Sequence, residues 1–190
     1  MIKIGFATIF AQDISQEMPE EMKQADCIYC KPPCSYNILS RQVASAVFDT
    51  YGAYVKRFFE YVDEIAPEYM YLQVTASNKE IFVEECKKRF KIVDIDEAYY
   101  NRNKKFRCWI IRCSNAKPAP NPEKIVKCIA DPVMQSAAIE FYAHKNEIKI
   151  VSRCSNQIHI DRLRDRVTEY DAKQTERERK KLTKQKNFQK

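Results

Sequence analysis

An open α/β sheet, mostly parallel with an antiparallel C-terminal hairpin, is the fold class this sequence predicts. Three observations predict it. Strand-like and helix-like segments alternate between positions 25 and 113, the order that builds parallel sheets. A short apolar run stops on Pro32-Pro33, as a strand does where it ends on a rigid turn. A second strand, helix and strand follow a proline-rich segment, so the sheet has a second half.

Ala25-Asp-Cys-Ile-Tyr-Cys30 reads as a buried strand that Pro32 and Pro33 terminate, since proline fixes φ and removes backbone donors. In open α/β sheets the carboxyl ends of the strands are where ligands bind. Tyr54, Phe58, Tyr61, Val62 and Ile65 recur at helical spacing within a segment from Tyr51 to Ile65, and Pro67 marks its end. Tyr69 to Val74 is the next strand. Asn78 is the expected cap of a helix reaching Arg89, with Glu80, Glu84 and Glu85 ahead of Lys87, Lys88 and Arg89 to suit the helix dipole. Lys91 to Ile95 and Phe106 to Arg112 are two further strands around the polar turn 101–105. The linker 114–122 holds three prolines. Beyond it Cys128 to Met134, Gln135 to His144 and Ile148 to Val151 read as strand and turn, helix, and strand. Met1 to Phe10 fits either a strand added to the sheet or an arm to a partner.

The segment Lys31-Pro32-Pro33-Cys34 resembles motif IV of the S-adenosylmethionine-dependent amino-methyltransferases of the N6-adenine and N4-cytosine type, in which a strand runs into Asp/Asn-Pro-Pro-aromatic. The element order over 26–113 is similar to the catalytic half of that family, and Asp131-Pro132 followed by a helix resembles the start of its motif I, Asp-Pro-x-x-Gly-x-Gly. The resemblance implies a Rossmann-like methyltransferase sheet in circularly permuted order. It places one domain over 1–160, with a motif IV half at 1–113, a linker at 114–122 and a motif I half at 123–160.

The same resemblance implies a degenerate member. Lys31 stands where the family's Asp or Asn accepts a hydrogen bond from the target amino group, and an ammonium has donors only. Cys34 stands where an aromatic ring stacks on the extruded base, and a thiol has no stacking face. Gln135 and Ala137 replace the two motif I glycines, which the backbone needs for a tight turn against the ligand. Cys154 replaces the acid that holds the ribose hydroxyls, whereas Asp131 and Asn156 match the pattern. No cofactor is therefore expected, S-adenosylmethionine being the cofactor if chemistry is retained. The interval 122–131 is also short for the helix that normally precedes this strand.

Composition bounds the rest. With 190 residues, 45% of them hydrophobic, the chain can bury a substantial core but has no length for its own target-recognition domain. No apolar run reaches a membrane span and the start lacks a signal-peptide layout, so a cytoplasmic protein with reduced cysteines is expected. Cys27, Cys30 and Cys34 have a spacing that suits three thiolate ligands. Strand alternation puts Cys27 and Cys30 on opposite faces, so no metal site is expected there. His144 and His159 read as surface residues.

The net charge of +7 concentrates after Arg162, in a basic helical or disordered tail over 161–190. Arg177, Arg179, Lys180, Lys181, Lys184 and Lys186 suit phosphate contacts, and a solvated charged terminus suits the same composition. Lys31, Arg102, Lys104 and Lys105 are candidates to extend that surface. Three functions stay open. One is a degenerate subunit that pairs with an active DNA or RNA amino-methyltransferase as a heterodimer, a role the resemblance implies for members without the motif. The others are an atypical active adenine methyltransferase and a stand-alone nucleic-acid-binding protein.

Overall fold

The computed structural model describes residues 1–42, 48–99, 107–115, 126–135 and 137–188, without the side chains of 40–42 and 184–188. The described strands form a single mixed sheet: β1 (Ile2–Ile4), β2 (Ala7–Phe10), β3 (Cys27–Cys30), β4 (Tyr69–Val74), β5 (Ile92–Tyr99), β6 (Arg107–Ser114), β7 (Cys128–Asp131) and β8 (Lys149–Arg153). Their order is β1-β2-β8-β7-β3-β4-β6-β5. The five central strands β2, β8, β7, β3 and β4 are mutually parallel, and β6 runs antiparallel between β4 and β5. That is the expected hairpin, set in the middle of the chain at one edge of the sheet. A second antiparallel pair, β1 with β2, closes the opposite edge. Met1 to Phe10 thus extends the sheet, with β2 lying beside β8.

The helices are α1 (Tyr36–Gln42), α2 (Tyr51–Ile65), α3 (Lys79–Arg89), α4 (Ala138–Lys145) and α5 (Gln157–Phe188). Helix α2 forms where the spacing places it. Thr50 Oγ1 accepts from the Ala53 amide at 3.1 Å, and Ala66 ends the helix in the left-handed region at φ 47°. Its apolar face buries Tyr54, Phe58, Phe59, Tyr61, Val62 and Ile65. The Phe58 ring meets Phe59 at 5.3 Å and Phe82 of α3 at 5.5 Å. Truncating such a ring to alanine costs about 3–5 kcal/mol.

Helices α4 and α5 cover the other face of the sheet, where Ile9, Ile129, Ile150, Ile160, Leu163 and Val167 are buried together. Helix α5 starts ahead of the boundary expected at 161, because Ile160, Leu163, Val167 and Tyr170 continue the apolar periodicity into it. Tyr170 crosses the Phe141 ring edge-on at 5.8 Å. At the start of the parallel strands, the Asp26 carboxylate accepts from the Lys127 and Cys128 amides at 3.0 Å each. It ties β7 to β3 across a long stretch of chain.

Ser114 and Asn115 of the expected linker close β6, and 116–122 lies outside the described residues, as does the 101–105 turn with Arg102, Lys104 and Lys105. Among the described residues no helix is long and apolar enough to cross a membrane.

Candidate functional site

The parallel strands end together, at Phe10, Arg153, Asp131, Cys30 and Val74, along one edge of the sheet. The structure brings the two sequence-derived site segments to this edge.

Pro32 and Pro33 are buried where β3 stops. Their turn is held by three side chains from other elements. Tyr51 Oη, at the start of α2, donates to the Pro33 carbonyl at 2.6 Å. Asn78 Nδ2 donates to the same carbonyl at 3.3 Å and to Tyr51 Oη at 3.2 Å, and Ser77 Oγ donates to the Cys34 carbonyl at 2.9 Å. Asn78 occupies the N-cap position of α3 as expected, but its side chain makes no cap bond. Its Oδ1 accepts from the Thr75 amide at 2.9 Å, and its amide turns toward the proline turn instead. Burial pushes the Tyr51 hydroxyl up to about 12 and pulls the Lys31 ammonium below its ordinary value. Cys34 is half-buried. The turn is a rigid scaffold that carries a cation where the resembling family has an acceptor.

The neighbouring strand end carries a buried acid pair. Asp131 and Glu140, on the first turn of α4, are 2% and 1% exposed. Burial, reinforced by the Glu140 charge, holds the Asp131 carboxyl well above the usual carboxylate range, and burial also raises Glu140. Asp131 Oδ1 accepts from the Val133 amide at 3.1 Å, and Ser152 Oγ donates to Glu140 at 2.7 Å. Both carboxyls are therefore held toward their protonated forms in this apolar interior. The Cys30 thiol, raised by burial and then by Asp131, completes the group.

Ala137, at the second glycine position, has φ 55° and ψ 13°. The backbone keeps the left-handed conformation that glycine favours, while the residue carries a methyl group buried among Met134, Ala143 and Ile160. Gln135 Nε2 is buried without a partner. Cys154 is buried, and its thiol is pushed up to about 11. Asn156 Oδ1 accepts from the Ile158 amide at 2.9 Å, which makes it the cap of α5.

The residue that sequence reasoning missed is Arg153. It is 1% exposed and crosses the cleft between the ends of β8, β7 and β2. Its Nη1 donates to the Gln16 carbonyl at 2.9 Å and its Nη2 to Gln12 Oε1 at 3.0 Å. The guanidinium lies 5.5 Å from the Tyr61 ring centre. Burial lowers its pKa to about 10. The Gln16 carbonyl also accepts from Tyr61 Oη at 2.8 Å and from Arg57 Nη2 at 3.1 Å. Arg57 Nε reaches the Ile14 carbonyl at 3.2 Å. The segment from Ala11 to Gln24 is thereby strapped over the strand ends. An arginine at the end of a strand gives no signal of this, since arginine is seldom buried.

The cleft between the strap and β7–β8, lined by Gln12, Ile14, Val133, Met134, Arg153 and His159, encloses about 10 Å³. That is room for about one water. Pockets for ligands the size of S-adenosylmethionine run to about 300–1,000 Å³, so among the described residues this cleft, with Arg153 across it, is too small for that group. His159 lines this cleft with Nδ1 buried and unpartnered, and His144 is buried against α5. His144 is thus not the surface residue expected, and His159 is half-buried. Cys27 and Cys30 do face opposite sides of the sheet. Among the described residues no cluster of His, Cys, Asp and Glu is arranged to hold a metal.

The basic candidates do not share an edge. His144, the penultimate residue of α4, and Gly5, in the β1–β2 turn, both lie at the amino edge of the parallel strands, and Asp171 of α5 bonds His144 Nε2 there at 2.9 Å. Arg177, Arg179, Lys180 and Lys181 follow Asp171 and continue away from the body, opposite to Lys31. Lys184 and Lys186 lie on the same helix.

No family model matches the sequence, and no curated protein is recognisably similar to it. Solved structures do match. The crystal structures of M1.HpyAVI and of the M1.HpyAVI–SAM complex each superpose with a TM-score of 0.56 at 12% identity, covering 85% of this chain and 99% of theirs. The shared feature is the methyltransferase-like fold, mostly parallel with its antiparallel hairpin.

Proposed function

We propose that this protein is a methyltransferase-like subunit without catalysis of its own, pairing with an active nucleic-acid amino-methyltransferase and contributing nucleic-acid affinity. The observation that carries the reading is Arg153, which fills the cleft where the fold's cofactor would lie and leaves about 10 Å³. Lys31 and Cys34 in the proline turn support it, because neither a donor-only ammonium nor a thiol serves the target base. Circular permutation is supported by the sheet order: β3 comes far ahead of β7 in the chain, yet the two are neighbours. A partner supplies both the active site and the target recognition.

The second reading, a cofactor-binding enzyme, draws on the likeness to the M1.HpyAVI–SAM complex. Calorimetric titration separates the two. The proposed function expects no heat from S-adenosylmethionine or its demethylated product at millimolar concentration, and one-to-one binding at micromolar concentration would sink it. Co-expression with candidate methyltransferases then tests the pairing: co-elution together with methyl transfer only by the mixture is the expected result.

A further inference from the structure

Helix α5 has two unlike halves. From Gln157 to Tyr170 it packs on α4 and the sheet through Ile160, Leu163, Val167 and Tyr170. From Asp171 to Thr183 every residue except Gln174 is exposed. At 1.5 Å per residue the helix beyond Asp171 extends about 25 Å from the body. The junction between the halves is fixed. Asp171 bonds His144 Nε2 at 2.9 Å, Tyr170 meets the His144 ring edge-on at 5.8 Å, and the close approach of Gly5 confines that ring from the other side.

Between positions 172 and 188 there are seven Lys or Arg residues and two acids. Lys173, Arg177, Lys180 and Lys181 fall at i, i+4, i+7 and i+8, which is one side of a helix. Lys173 pairs with Glu169 and Lys180 with Glu176, but these side chains are 63–70% exposed. Such surface pairs contribute little and yield to a denser array of anions. Only a polyanion with closely spaced charges matches a straight cationic stripe of this kind. No aromatic residue lies between 172 and 183, so the stacking that holds single strands is missing. A bare helix about 10 Å across enters the major groove of B-form DNA and is excluded from the deep, narrow groove of A-form RNA.

We infer that the outer half of α5 is an arm that grips the phosphates of duplex DNA at the amino edge of the sheet, on the opposite side of the fold from the proline turn. The inference deepens the nucleic-acid part of the proposed function and rests on it for the identity of the second subunit only. DNA held there is offered to a neighbouring active site rather than to this chain's own strand ends.

The test is fluorescence anisotropy of the full chain with a labelled 24-base-pair DNA duplex across a salt series. Four phosphate contacts predict a log–log salt slope of about −4. The triple variant Arg177→Gln, Lys180→Gln, Lys181→Gln should flatten the slope by about 3 and weaken binding about 30-fold or more at 0.1 M salt. Its circular dichroism and melting temperature should stay at the wild-type values, because these side chains touch nothing in the body. Lys31→Gln reports on the opposite edge, and affinity within about twofold of wild type is expected if the arm carries the phosphate contacts. An unchanged slope in the triple variant overturns the arm. Equal losses in Lys31→Gln overturn its placement, and equal affinity for a 24-base-pair RNA duplex overturns the groove assignment. No cofactor or second subunit enters this measurement, so its failure is separate from a failure of the cofactor titration.

Discussion

The two edges of the parallel sheet are closed in different ways. Five of the seven buried polar side chains among the described residues, Asn78, Asp131, Glu140, Ser152 and Arg153, gather at the carboxyl edge, while His144 and Ser114 lie toward the amino edge. At the carboxyl edge closure depends on hydrogen bonds between segments far apart in sequence, such as Arg153 to Gln16. The amino edge has long-range bonds too, from Asp26 to the Lys127 and Cys128 amides, but adds a contact so close that one position must be glycine. Buried polar groups are costly unless paired. Their concentration sets the carboxyl edge apart as the polar end of the fold, where most of these groups are paired with other segments of the chain while Gln135 Nε2 and His159 Nδ1 are not. The amino edge carries no such concentration and is where α5 leaves the body.

The largest effect should come from the amino edge. Gly5 has φ 54°, and a Cβ there would collide with His144 Nδ1. Gly5→Ala combines backbone strain with overpacking and should destabilise by about 3 kcal/mol or more, read from denaturant midpoints. A loss below about 1 kcal/mol would show that His144 moves freely and that the arm's anchor is soft. At the carboxyl edge Arg153→Ala removes two charge-assisted bonds and the side chain that fills the cleft, for an expected loss of about 2–3 kcal/mol. Arg153→Lys should recover less than half of it, since an ammonium cannot fork to Gln12 and Gln16.

A smaller effect separates the edges by pH. The folded pKa of Asp131 lies above its unfolded value, so the native state binds the extra proton. Stability from this group is complete below the unfolded carboxylate range and is lost as pH rises through the folded value. Wild-type stability should therefore decline above about pH 4 relative to Asp131→Asn, by up to about 1.4 kcal/mol for every tenfold fall in proton concentration until the folded pKa is passed. Parallel stability profiles for the two proteins would refute the raised proton affinity of Asp131. The smallest effects concern left-handed alanines. Ala66→Gly, at an exposed helix end with φ 47°, should stabilise by about 0.5–1 kcal/mol. Ala137→Gly should be nearly neutral, because relief of strain is offset by the loss of a buried methyl worth about 0.8 kcal/mol.

Apart from α1, which the polar stretch after Cys34 did not announce, the helices and strands between Cys27 and Ser114, and those from Cys128 to Arg153, were legible because each carries its own periodicity and stops on its own signal, as β3 does at Pro32 and α2 does before Pro67. Local pattern says nothing of long-range pairing, so β2 beside β8 could not be read from Met1 to Phe10. The replaced residues of the site were legible as replacements, but their consequences were not. Ala137 was expected to stand in the way of a cofactor, and the backbone there keeps the left-handed conformation with the methyl buried in the core. Arg153 escaped notice, and Asn78 was noticed only as a helix cap, because each answers to a carbonyl from another segment, Gln16 in one case and Pro33 in the other.

The Gln16 carbonyl has a consequence for motion. It accepts from Tyr61, Arg57 and Arg153 at once, three donors from two elements on one oxygen. Lifting the strap would strand the buried Arg153 guanidinium beside an apolar interior and break the Arg57 and Tyr61 bonds in the same event, so the strap has no gradual way to open. Amide protons between Ala11 and Gln24 that are protected at all should exchange with solvent as one group, on the timescale of unfolding rather than of loop fluctuation. A surface loop of this length would ordinarily breathe. Here the exchange pattern should be that of the core.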